Sequence, residues 1–181
     1  MNVIFLDVDG VLNTINSNEL LWFHNKEDLK NVEKFKIIKR DEVGNIMEIF
    51  DNNITFKQLH TGEGILNINC ILRLKKIIDN IKDVKIVMSS YWRLSEWKMK
   101  SLKHYLQRYG IDTDIIIDFT PRMYHSRTKE IMFWIDHHFN VNKWVAIDDM
   151  HLELEKQHFV LTDPLTGLTD DDVKQVIELF K

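Results

Sequence analysis

The chain has 181 residues, 44% hydrophobic and 29% charged, and its 28 acids against 24 lysines and arginines leave a net charge of -4. This composition excludes a disordered or fibrous chain and gives polyanions no bulk attraction, so a nucleic acid would have to be met by a local basic face. One cysteine, Cys70, excludes an internal disulfide framework and fits a reducing compartment, and the length suits a single domain carrying an insertion.

In chain order, the first element expected is a buried strand, "NVIFL", which runs directly into Asp7 and Asp9 and a Gly10-assisted turn. Its apolar run is too short for a secretion signal or a membrane span, so a cytoplasmic protein without membrane attachment is expected. Residues 14–61 break the pattern that follows. They hold a charged, helix-like stretch, an aromatic trio (Trp22, Phe23, His24) suited to a small core of its own, and turn signals at Gly44-Asn45 and Asn52-Asn53 that predict a hairpin or small ribbon. The segment reads as a small cap-like insertion over the strand ends of a core made of residues 1–13 and 62–181.

From there helices and strands alternate. A helix is predicted from Leu66 to Ile81, then a strand at "VKIVMS", and then a helix whose apolar stripe includes Leu94, Trp97, Leu102, Tyr105 and Leu106 and which stops at Gly110. A strand "DIIID", a helix from Ser126 to His138, strands "WVAID" and "HFVLT", and a last helix capped by Thr169 with Asp172 complete the chain. Strands alternating with helices give an α/β class, a central parallel sheet flanked by helices.

In such sheets ligands bind beyond the carboxyl ends of the strands, where strand order reverses. Acids also end strands for ordinary reasons, but here a second pair, Asp148 and Asp149, closes another apolar strand. Four carboxylates at one sheet edge repel unless a cation intervenes, and an all-oxygen set points to Mg²⁺. Ser89 and Ser90 end the "KIVMSS" strand with hydroxyls and amides for anionic oxygens, while Arg127 and Lys129 begin a helix whose N-terminus also favours phosphate. The reading is a phosphoryl-transfer site. Arg93 is open to two roles, phosphate binding or pinning its loop; Tyr91 and Trp92 read as packing, and His137 and His138 have no zinc-ligand company. Lys98, Lys100, Lys103 and Arg108 read as a solvated helix surface, not a nucleic-acid track.

"FLDVDGVLN", "VMSSYWR", "RTKEIMFWI" and "VAIDD" resemble, in order, the four motifs of the haloacid dehalogenase-like hydrolase superfamily. "SSYWR", "RTKEI" and the tail "VLTDPLTGLT" are similar to the haloacid dehalogenase-like domains of Swiss army knife RNA-repair proteins. The resemblance, carried by residues 1–13 and 62–181, implies a Rossmann-like fold and a Mg²⁺-dependent phosphatase with an aspartyl-phosphate intermediate. It implies Asp7 as nucleophile and Asp9 as general acid and base with its backbone carbonyl on the metal. Ser89 would hold a phosphoryl oxygen, Arg127 or Lys129 would be the phosphate-side cation, and Asp149 a metal ligand supported by Asp148. Gly10, Ser90 and Arg93 are expected near the substrate. Its substrate would be a phosphorylated small molecule or a nucleic-acid end, with no obligate protein partner. Two alternatives remain: a polynucleotide end-processing phosphatase, and a non-catalytic phosphate-sensing or partner-binding module.

Overall fold

The computed structural model describes residues 1–14, 39–40, 46–47, 66–123 and 126–181. Five strands, β1 (Asn2–Leu6), β4 (Val84–Met88), β5 (Ile116–Phe119), β6 (Lys143–Asp148) and β7 (Phe159–Leu161), form one parallel sheet. Its order is β5-β4-β1-β6-β7, so β1 is central and its two neighbours are the strands that end at Ser89 and Asp148. Two short strands, β2 (Lys39–Arg40) and β3 (Ile46–Met47), pair antiparallel on either side of Gly44-Asn45. The aromatic trio Trp22, Phe23 and His24, the Asn52-Asn53 turn and the rest of the expected insertion, apart from Thr14 and this pair, lie outside the described residues.

Both faces of the sheet are covered, which is why β1 is apolar without interruption and does not alternate. Ile4 and Leu6 point to one face, where they pack with α1 (Ile68–Asn80), α2 (Glu96–Arg108) and α4 (Asp170–Leu179). Val3 and Phe5 point to the other and meet Ile131 and Trp134 of α3 (Arg127–Asp136). Phe5 makes edge contacts with Trp134 and Trp144 at centroid distances of 5.4 and 5.7 Å. Each such fully buried side chain contributes about 2 kcal/mol of transfer free energy.

The helix starts follow local chemistry. Asn67, Ser95, Ser126 and Thr169 each accept a backbone N–H at an N-cap, and Thr169 with Asp172 forms the reciprocal capping box. One boundary differs from the sequence reading. Leu94 belongs to a separate 3-10 turn (Tyr91–Leu94) and is half exposed, because Ser95 caps the helix after it. Among the described residues no helix is long and apolar enough to cross a membrane.

Candidate active site

The strand order reverses at β1: the chain goes to β4 and β5 on one side and returns to β6 and β7 on the other. Polar residues line that carboxyl edge, each continuing the ladder of its neighbour. Asp7 donates its N–H to Ile147 O (3.1 Å), Ser89 to Leu6 O (3.0 Å), Thr120 to Met88 O (3.0 Å) and Thr162 to Asp148 O (2.9 Å). The sheet therefore fixes the backbone beneath each side chain.

Asp7 and Asp148 are buried, and both take the same guanidinium nitrogen. Arg127 Nη1 lies 2.5 Å from Asp7 Oδ2 and 2.6 Å from Asp148 Oδ2. The remaining oxygens accept backbone amides, Asp7 Oδ1 from Val8 and Asp148 Oδ1 from Met150 (2.8 and 2.9 Å). Burial, with the charge of Asp7 second, pushes the Asp148 carboxyl up to about 6 despite Arg127. Burial and then Asp7 also raise that of Asp149. Burial disfavours the charge on Arg127, but Asp7 and Asp148 overcome it and hold the guanidinium protonated.

Asp7, Asp148 and Asp149 each offer a carboxylate oxygen, and the three lie within 4.8 Å of one another. Three acids face one arginine in a largely buried corner, an all-oxygen set with charge to spare that fits a hard divalent cation such as Mg²⁺. Gly10 makes the corner compact. It adopts φ +74°, and a Cβ there would overlap the Asp149 carboxylate.

Ser89 stands at the same sheet edge, one residue past β4. Its Oγ is buried and, among the described residues, is the one buried side-chain polar atom without a hydrogen-bond partner. Buried hydroxyls are rarely left so, and this one has a donor to spare for an oxygen that the protein does not supply.

The other expected site residues are placed as follows. Arg127 reaches the acids, whereas Lys129 is exposed on α3. The carboxylate of Asp9 stands outside the group of three acids and accepts from Trp92 Nε1 (3.0 Å) and Asn13 Nδ2 (3.1 Å). Gly10 spends its N–H on Asn13 O, and its carbonyl accepts from Thr162 Oγ1, so it shapes the loop and has no peptide N–H left for a substrate. Ser90 Oγ caps the 3-10 turn by accepting from Trp92 N.

Arg93 is a correction to the substrate-binding expectation. Its side chain is 3% exposed, and its five N–H groups go to Ser89 O, Ser90 O, Thr120 O, Pro121 O and Glu130 Oε2. With no donor left, it pins its loop. Tyr91, read as packing, is 51% exposed and lies beside Arg127, whose Cζ is 5.7 Å from the ring centroid.

Sequence reasoning missed three contributors. Thr162 ties β7 to the Gly10 loop, Glu130 anchors Arg93, and Trp92 reaches Asp9. Thr162 carried a usable signal, since it follows β7 as Ser89 follows β4. The tail beyond it also serves the site: Leu168 N bonds Val11 O (2.9 Å), and Gly167, at φ +64°, passes so near Thr14, Val11 and Cys70 that no Cβ fits. Cys70 itself is buried, and that burial pushes its thiol up to about 11, which makes it a core residue.

Residues 3–173 match the family described as the HAD domain in Swiss Army Knife RNA repair proteins. The chain belongs to this family. The match spans nearly the whole chain and runs across residues 14–61 as well as the core. As a HAD domain, the protein is a Rossmann-like α/β hydrolase domain, and its acidic corner lies where that fold places chemistry. No curated protein matches the chain.

Proposed function

We propose that the protein is a Mg²⁺-dependent phosphomonoester hydrolase that works through an aspartyl-phosphate on Asp7. The observation that carries the reading is the shared Arg127 nitrogen between Asp7 and Asp148, with Asp149 completing a group of acids within 4.8 Å. Mg²⁺, held by Asp7 and Asp149 with Asp148 in support and the Asp9 carbonyl as a further oxygen, would supply the positive charge that lets a carboxylate approach a phosphate.

The chain's own residues do the rest. Arg127 and the Val8 N–H hold the Asp7 carboxylate still, so little reorganisation precedes attack on phosphorus. As the bond from phosphorus to the ester oxygen breaks, Asp9 gives that oxygen its proton. In the second step Asp9 takes a proton from water as the water oxygen attacks phosphorus, and the bond to Asp7 breaks to release inorganic phosphate. The Ser89 hydroxyl donates to a phosphoryl oxygen throughout, the partner it lacks in the protein alone.

The test is turnover of a phosphomonoester panel with and without Mg²⁺, beside Asp7→Asn. Mg²⁺-dependent release of phosphate that Asp7→Asn reduces at least about 1,000-fold is the expected result, in line with removal of a covalent nucleophile. Equal turnover by Asp7→Asn removes the assigned nucleophile. No hydrolysis of any ester, with phosphate binding that survives Asp7→Asn, favours the non-catalytic binding module.

A second reading, a phosphatase for polynucleotide ends, draws support from the family's description and from the half-exposed Tyr91 ring beside Arg127, a surface on which a terminal base can stack. Phosphorylated oligonucleotides in the panel test it. They should outcompete small esters and lose affinity steeply as salt rises.

A further inference from the structure

Asp9 is an exposed residue on a turn, with its backbone bridged to Asn13. A solvated carboxylate needs no protein partner, yet each oxygen of this one has a donor: Oδ2 takes Trp92 Nε1 and Oδ1 takes Asn13 Nδ2. Trp92 comes from beyond a different strand and is 1% exposed. It is also the rigid partner. Its backbone N–H is on Ser90 Oγ, Lys98 Nζ lies 5.4 Å from its ring centroid, and the next residue is Arg93, locked by five hydrogen bonds.

The fixed member of the pair therefore orients the exposed one. Indole N–H is a donor only, so Trp92 cannot take the proton, and one bond leaves the second acceptor site of Oδ2 open to carry it. We propose that Trp92 is a positioning residue for proton transfer, its indole N–H aiming the Asp9 carboxyl at the leaving oxygen and then at the attacking water. This rests on the hydrolase reading above. In the first step the phosphorus–oxygen bond breaks and the departing oxygen takes the Asp9 proton; in the second, Asp9 recovers a proton from water.

Trp92→Phe keeps the ring and removes the donor. The readout is leaving-group dependence, because an alkoxide must be protonated as it departs and p-nitrophenolate need not be. With Mg²⁺, turnover of an alkyl phosphate should fall about 100-fold, the scale of a misplaced catalytic group. Release of p-nitrophenolate in the first turnover should keep its rate while later turnovers slow, so that a burst appears. Equal slowing of both substrates in both phases, as general damage would give, overturns the proposal, and so does no slowing at all. Asp7→Asn in parallel keeps the two readings apart: if it retains wild-type turnover, the nucleophile assignment fails and takes this inference with it. A measurement that does not depend on the folding of Trp92→Phe uses ¹⁵N-tryptophan protein. Of the five indole N–H signals, one should move in Asp9→Ala. If none moves, the hydrogen bond and the proposal are both gone.

Discussion

Ser89 separates what a residue does for the fold from what the proposed reaction asks of it. Its backbone extends the β1–β4 ladder, but its hydroxyl is buried and contributes no hydrogen bond. An unpaired buried hydroxyl costs about 1–3 kcal/mol. Ser89→Ala should therefore leave the thermal midpoint of the metal-free protein unchanged or higher, while Mg²⁺-dependent turnover falls about 100-fold, as for loss of one oxyanion donor. Parallel unfolding and activity measurements check this, and a lowered midpoint would mean that the hydroxyl serves the fold. Ser89 was legible in the sequence, because a hydroxyl one residue past an apolar strand has a place as soon as the strand does. Trp92 was not. Whether a large aromatic merely fills a core or also donates to a carboxylate depends on what a segment distant in the sequence brings within 3.0 Å.

At the scale of elements, the site is built by joining strand ends. Arg93 binds the carbonyls beyond β4 and β5 and, through Glu130, the first turn of α3. Glu130 Oε1 in turn accepts from Met123 N, so one buried ion pair fixes three segments. Breaking such a pair on one side leaves a buried charge, and Arg93→Met should cost about 3 kcal/mol of stability. Adding Glu130→Gln should cost less than the sum of the two single changes, since the stranded charge is then gone. Denaturant unfolding of the singles and the double measures the coupling; strict additivity would show that the pair is not one unit. The strands and helix caps were readable locally, because Ser126 and Thr169 cap with their own neighbours. The end of the Leu94 stripe was misread for the opposite reason: both helical turns carry apolar residues, and only the Ser95 cap separates them.

Across the whole molecule, stability is linked to the charge of the acidic corner. The Asp148 carboxyl has an ordinary value of 3.8, and burial and Asp7 raise it to about 6 in the folded protein. The folded state thus binds this proton more tightly than the unfolded chain. The stabilisation is complete below 3.8 and is lost as pH rises through about 6. In chelator, the thermal midpoint should fall between about pH 4 and about pH 6.5, and Asp148→Asn should flatten that fall. Mg²⁺ should restore the midpoint at the higher pH and do little at the lower, because metal and proton compete for the same oxygens. A calorimetric pH series with and without Mg²⁺ tests both; no Mg²⁺ effect at the higher pH would remove the proposed metal site.

The sequence by itself determined the α/β class, the five strands of the parallel sheet, the four helices described around it and the acids that end β1 and β6. Each of these is a matter of local periodicity, propensity or capping, which a short window of residues carries. Only the tertiary structure decided that Arg127, not Lys129, reaches Asp7 and Asp148, that Arg93 is consumed by its own loop, and that Trp92 holds Asp9. The physical reason is that a donor's role is set by which acceptor lies within about 3 Å of it, and for these residues that acceptor comes from another strand or helix, placed by packing of the sheet rather than by neighbours in the chain.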